Sequence, residues 1–151
     1  MYQTSKSKGQ ELVAQRMVRE FIRHGHKAYL ITSVYHDGIQ MVSPENLRKI
    51  GGYMLIEDSE LGIPIIRVDS YTARWPPRRI LFRDFISTLE KIVDEFQLDV
   101  LITHSTLWNG PEEVVKFIEW RRYMKDIGGY QDPLVFCHMS HFQEPSPKRY
   151  S

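Results

Sequence analysis

Residues 98–117 read LDVLITHSTLWNGPEEVVKF, and residues 132–141 read DPLVFCHMSH. In the first stretch an apolar run of strand length ends at His104 and gives way to Pro111, Glu112 and Glu113. Those residues suit the first turn of a helix, where proline's absent N–H is harmless and negative charge meets the helix dipole. In the second stretch another apolar run climbs into Cys137, His138 and His141. Strand, helix, strand in that order predicts neighbouring parallel strands with their histidine-bearing ends on one edge. Ligands of parallel sheets collect outside the carboxyl ends of the strands, so these histidines fall where a site belongs.

The alternation extends toward the amino end. Residues 10–24 carry a helical stripe, with Val13, Met17 and Phe21 on one line and Ala14, Val18 and Ile22 beside it. Gly25 suits the left-handed position that closes a helix, and KAYLIT at 27–32 follows as a strand. Residues 33–58 show a looser pattern, with PENLRK starting a short helix and GGYMLIED forming a short strand. IPIIRV at 63–68 reads as a buried strand, and SYTARWPPRR at 70–79 as a loop, because Pro76 and Pro77 forbid regular structure. Phe82, Phe85, Ile86, Leu89, Ile92, Val93 and Phe96 recur at three-and-four spacing and mark the clearest helix. The expected fold is one α/β domain over residues 1–142, with a mostly parallel sheet covered on both faces in three layers. Residues 143–151, polar and proline-bearing, read as a tail or the start of a linker.

Composition narrows the function classes. Of the 151 residues 42% are hydrophobic and 26% charged, and Lys+Arg number 20 against 19 Asp+Glu, the balance of a soluble globular protein. Such neutrality argues against a nucleic-acid partner, whose binding surface is normally strongly basic. The apolar runs are far shorter than the ~20 residues a membrane helix needs, and neither a signal peptide nor a span is read. The single Cys137 cannot form an internal disulfide, so a cytoplasmic location is the default expectation.

Three chemistries are open to the histidine-bearing edge. A Cys137–His138 nucleophilic pair is disfavoured, because consecutive strand residues point to opposite faces. His104, His138 and His141 could hold zinc with an open position for a reactive water, although no carboxylate with ligand spacing completes the set. In the third chemistry a neutral histidine hydrogen-bonds a sugar hydroxyl or a developing charge, in a crevice rimmed by Ser105, Arg74, Trp75, Arg78 and Arg79. At the amino end, SKSKGQELVAQ sets Lys8, Gly9 and Gln10 at a helix start, which is either an anion site or simply a helix N-terminus.

Taken together, KGQELVAQRMVREFIRHGHKAYLIT, GIPIIRV, LDVLITHSTLWNGPEEVVKF and DPLVFCHMSH resemble the amino-terminal domain of glycosyltransferase family 4. The matching elements are Gly9, the Gly25–His26 pair, Asp99–Val100 with His104, and His138, in the family's order and over nearly the whole chain. The resemblance implies a Rossmann-like domain of a GT-B fold and transfer of a sugar, with retention, from a nucleotide sugar to a glycan or lipid-linked acceptor. By the same likeness His138 sits at the reacting centre, while Lys8, Gly9 and Gln10 approach the donor diphosphate. His104, Ser105, Arg74, Trp75 and His141 line the acceptor side. No metal and no cofactor beyond the donor substrate is implied, and the protein could work at a membrane surface as a peripheral enzyme.

Two departures accompany the likeness. The family places a central strand ahead of the glycine loop, where this sequence has MYQT, and the E-x7-E pattern of the family's second domain does not occur. The expectation is therefore a sheet without its usual first strand and half of an active site, completed by a carboxyl-terminal domain or partner chain. A homodimer is a further assembly to consider. Outside the likeness stand a non-catalytic Rossmann-like binding module and a His-ligated metal hydrolase.

Overall fold

The computed structural model describes residues 9–73, 79–104, 109–128 and 134–139. In chain order the elements are α1 (Gly9–Arg23), β1 (Leu30–Thr32), β2 (Tyr35–His36), β3 (Ile39–Gln40), α2 (Pro44–Lys49), β4 (Tyr53–Ile56), β5 (Ile65–Val68), β6 (Ser70–Ala73), β7 (Arg79–Phe82), α3 (Phe85–Glu95), β8 (Val100–His104), α4 (Asn109–Gly128) and β9 (Val135–Met139).

Two helices stop by the same device, and each stop delivers a strand. After α1, Gly25 takes φ +89°. Its N–H donates to the Ile22 carbonyl at 3.0 Å, and the His26 N–H donates to the Phe21 carbonyl at 2.9 Å. This pair of bonds is the Schellman closure, and the accompanying side-chain contact is present: the Phe21 and His26 rings meet edge to face at 6.1 Å. After α3, Gln97 occupies the left-handed position at φ +50° without glycine's freedom. The Leu98 N–H bonds to the Val93 carbonyl at 3.0 Å, and the Gln97 side-chain amide donates to the Asp94 carbonyl at 2.6 Å. That added bond offsets the steric cost of a side chain in this region.

β5 is the hub. It pairs in parallel with β1, Leu30 opposite Ile65 and Thr32 opposite Arg67, and antiparallel with β4, Tyr53 opposite Val68. All four of its residues are buried. Alternation sends them to two layers: Ile66 and Val68 join Leu89, Ile92 and Val93 of α3, Phe117 of α4 and Leu101 of β8, while Ile65 meets Val18 of α1. Helices thus lie on both faces of this sheet. β8 and β9 form a second parallel pair, Val100 opposite Val135 through His104 opposite Met139.

The result is a mixed α/β domain with parallel pairs. Among the described residues the strands form one three-stranded mixed sheet and three two-stranded ones rather than one mostly parallel sheet. Two readings are corrected, and one hairpin is added to them. Residues 70–79 are not wholly loop, since β6 and β7 are the arms of an antiparallel hairpin with Ser70 opposite Phe82 and Ala73 opposite Arg79. The two prolines lie outside the described residues, between arms whose own residues favour strand. Phe82 accordingly belongs to β7, where it stacks on Phe85 at 4.4 Å, and α3 begins three residues later than its apolar spacing suggests. The loose stretch 33–58 contains the hairpin β2–β3, turned by Asp37 at φ +54° and Gly38 at φ +76°, the conformation Asp-Gly favours between paired strands. The short helix and strand expected in this stretch are α2, capped by Ser43, and β4.

No helix among the described residues is long and apolar enough to cross a membrane.

Tyr53 ties β4 to the end of α3, its hydroxyl donating to the Glu95 carboxylate. Burial first, then that bond and the negative charges of Glu95 and Asp94, push the phenol from 10.0 up to about 12. A raised folded value means that the stability Tyr53 lends is complete below pH 10.0 and is lost as pH climbs toward about 12. Ultraviolet titration of the phenolates is expected to show one group ionising near that value, and Tyr53→Phe is expected to remove it and flatten the alkaline limb of the stability curve.

Candidate functional site at the strand ends

The expected convergence of β8 and β9 is present in the backbone. β8 alternates, with Leu101 and Thr103 buried toward the α3–α4 core and Val100, Ile102 and His104 on the opposite, more open face. Its depth is set by the α3 closure, since Leu98 packs against that core just before the strand starts. Val135 N–H donates to the Asp99 carbonyl at 2.8 Å and fixes the register of β9. That register places His138 opposite Thr103 and Met139 opposite His104, so the two histidine positions are neighbours across the strand pair, offset by one residue.

β9 runs without interruption through Cys137 and His138. The two are therefore consecutive strand residues, the condition on which a Cys–His nucleophilic pair was disfavoured. Cys137 itself is exposed. Gly9 is the first residue of α1, and a helix start leaves backbone N–H groups unsatisfied. Lys8, Arg74, Trp75, Arg78, Ser105 and His141 lie outside the described residues, as does the tail 143–151, and the structure describes the backbone but not the side chains of Gln10, Arg79 and His138. Of the expected site, the described residues thus set His104 and the backbone of His138 at adjoining strand ends, one register position apart and so on opposite faces of the strand pair, with Gly9 opening α1. Among the described residues no three His, Cys, Asp or Glu side chains are grouped to hold a metal ion.

A second polar cluster, which sequence reasoning passed over, occupies the ends of β1 and β5. Arg67 is 1% exposed and reaches Glu60 at 2.6 Å, the Ser33 carbonyl at 2.8 Å and the Tyr35 carbonyl at 3.3 Å. Its Nε has no hydrogen-bond partner. Burial alone would raise the Glu60 carboxyl, but a backbone hydrogen bond and the Arg67 guanidinium, with His36 adding to them, hold it below the usual carboxylate range. Two residues on, Asp69 accepts from Arg48 Nη1 on both carboxylate oxygens at 3.2 Å and pairs with Arg83 at 3.5 Å. Arg83 also lies over the Tyr71 ring at 4.5 Å, and Arg48 meets Glu45 at 3.6 Å. Buried Ser70 receives the Val34 N–H at 2.9 Å and donates to the Val68 carbonyl at 3.0 Å. Two carboxylates face two guanidiniums around Asp69, a balance that suits cross-linking α2, β5 and the β6–β7 hairpin rather than attracting a charged ligand. The signal for this cluster was present in RVDS, charged and polar residues in and directly after an apolar strand.

Comparison of the chain with protein-family models, with characterised proteins and with solved structures finds no match.

Proposed function

We propose that the chain is the acceptor-side, amino-terminal domain of a retaining glycosyltransferase of the family 4 type, with a Rossmann-like three-layer fold. The observation that supports this best is the parallel pairing of β8 with β9, whose register sets His138 beside Thr103 and one residue from His104 at adjoining carboxyl ends. Helices on both faces of the β1–β5 pair support the layered fold.

In this reading His138 accepts or donates a hydrogen bond at the sugar being transferred, in a site where positive charge grows on the ring as the bond to the donor phosphate breaks. His104 and the residues near it hold the acceptor. Lys8, Gly9 and Gln10 offer N–H groups at the start of α1 to the donor diphosphate, which the helix dipole favours. The nucleotide is held chiefly by a carboxyl-terminal domain or partner chain. A lipid-linked acceptor would draw the domain to a membrane surface from the cytoplasmic side.

A transfer assay with a panel of nucleotide sugars tests the division of labour. The purified chain alone is expected to turn over little. Combined with the domain or partner that completes the site, it is expected to transfer sugar, and His138→Ala is expected to lower that turnover by about 100-fold. Robust turnover by this chain alone, or activity indifferent to His138→Ala, contradicts the reading. A stoichiometric metal that resists dialysis favours the hydrolase alternative instead.

A further inference from the structure

Helix α1 carries two neighbouring apolar rows, and only one of them is buried. Ala14 and Val18 are inside, Val18 packed with Ile63 and Ile65. Val13, Met17 and Phe21 stand four residues apart and form the next ridge of the helix surface. On that ridge Val13 and Phe21 stay 40% and 36% exposed, and with Arg16 and Glu20 the three line a shallow groove. Apolar side chains standing in one row, rather than scattered, mark a surface that meets another molecule. The Phe21 ring is already set edge to face on His26 at 6.1 Å, so covering it removes little side-chain freedom. The charges beside the row differ in how they are engaged. Arg19 is tied to its own chain, donating to the Leu61 carbonyl at 2.7 Å. Arg16 has no hydrogen bond or ion pair among the described residues, and Glu20 meets Arg23 at 3.3 Å in an exposed pair of the kind that contributes little.

We propose that this face of α1 binds a second copy of the chain, the two helices antiparallel with a two-fold axis passing beside Met17. Such an axis sets Val13 against the partner's Phe21, small against large, and Met17 against the partner's Met17. It also matches the charges. Arg16 lies one residue before the axis and the partner's Glu20 three residues from it in the same direction, so at 1.5 Å rise per residue they are about 3 Å apart along the helices. Both sit on the same side of the contact, and the symmetry makes the ion pair twice. A parallel pair would put the two Arg16–Glu20 rows on opposite sides, with no bond between them. A groove edged by one positive and one negative side chain is thus complementary to its own reversed copy, whereas a partner of uniform charge would be repelled by one of the two. One helix pair covers less than the roughly 1,600 Å² of a standard interface, which makes the dimer weak and concentration-dependent.

Sedimentation velocity on the full chain over a range of concentrations tests the contact. The parent is expected to pass from monomer to dimer as concentration rises. Arg16→Glu and Glu20→Arg are each expected to raise the dissociation constant at least about tenfold, because either one sets like charges opposite each other twice. An equimolar mixture of these two variants is expected to associate again, within about threefold of the parent, because a mixed pair restores opposite charges at both positions. That recovery occurs only if the two residues meet across the interface, since no change within one helix is repaired by mixing. The proposal is overturned if the parent is a monomer at every concentration, which leaves the face to a different partner. It is equally overturned if either single variant associates as tightly as the parent, or if the mixture stays monomeric.

Discussion

Phe117→Ala is expected to destabilise the domain by about 4 kcal/mol, the cost of deleting a fully buried aromatic ring whose site cannot collapse. Phe117 is 0% exposed, on α4, in the core that β5, α3 and β8 share. Arg121 lies over its ring at 5.4 Å and reaches across to Glu90 of α3 at 2.7 Å, so the surrounding wall is held from both helices and is poorly able to close the void. A small domain has a total stability of only about 5–15 kcal/mol, so this one change removes a large share of it. The measurement is urea denaturation followed by far- and near-ultraviolet circular dichroism. Coincident transitions, both shifted to lower urea, are expected, because the β8–β9 pair is held to the β1–β5 sheet through this core. A loss below about 1 kcal/mol would mean that α4 does not pack as described.

Arg67→Met is expected to cost about 3 kcal/mol, because it removes one partner of a buried pair and takes the guanidinium donor from the Ser33 carbonyl, while the Tyr35 carbonyl keeps the Ser33 hydroxyl at 3.4 Å. The remaining carboxylate, Glu60, is 33% exposed and recovers part of its hydration, which keeps the loss toward the lower end for such pairs. The pH dependence carries a second signature. Glu60 sits below its ordinary value in the folded chain, so the stability it lends is complete above its unfolded value and is lost as pH falls through the folded one. In Arg67→Met that acid limb is expected to flatten, since the guanidinium that lowers Glu60 is gone. Chemical denaturation between neutral and acidic pH checks both effects. A variant as stable as the parent, with an unchanged acid limb, would show that the buried arginine is dispensable.

The parts of the fold legible in the sequence were those where one local signal and the tertiary demand agree. The α1 stripe with Gly25 behind it, the apolar runs of β5, β8 and β9, and the apolar spacing of α3 are of this kind. What escaped had a stronger signal beside it. Pro76 and Pro77 drew the whole of 70–79 into a loop, although proline constrains only its own position and its neighbours while Tyr71, Thr72, Ile80 and Leu81 favour strand. Asp37–Gly38 announced a hairpin, but arms of two residues show no periodicity to accompany it.

Arg67 was hidden for a different reason. A single charge in an apolar run is ordinarily taken to face solvent, whereas β5 has helices on both faces and the two terminal nitrogens of the guanidinium are met by Glu60 and the Ser33 and Tyr35 carbonyls, partners that no spacing rule reveals. The candidate site was legible only through strand order, which brings His104 and His138 to adjoining ends. The one-residue offset between them follows from the Val135–Asp99 hydrogen bond, a tertiary fact with no local signature.

The central claim is that sugar is handled at the carboxyl ends of β8 and β9. It is tested most directly by mapping backbone and imidazole chemical shifts of the isotope-labelled chain while nucleotide sugars and a panel of glycan acceptors are titrated in. The account predicts saturable shifts at Thr103, His104, His138 and Met139, larger with a glycan acceptor than with the nucleotide sugar. Shifts confined to the Arg48–Asp69–Arg83 cluster, or none across the panel, would contradict it.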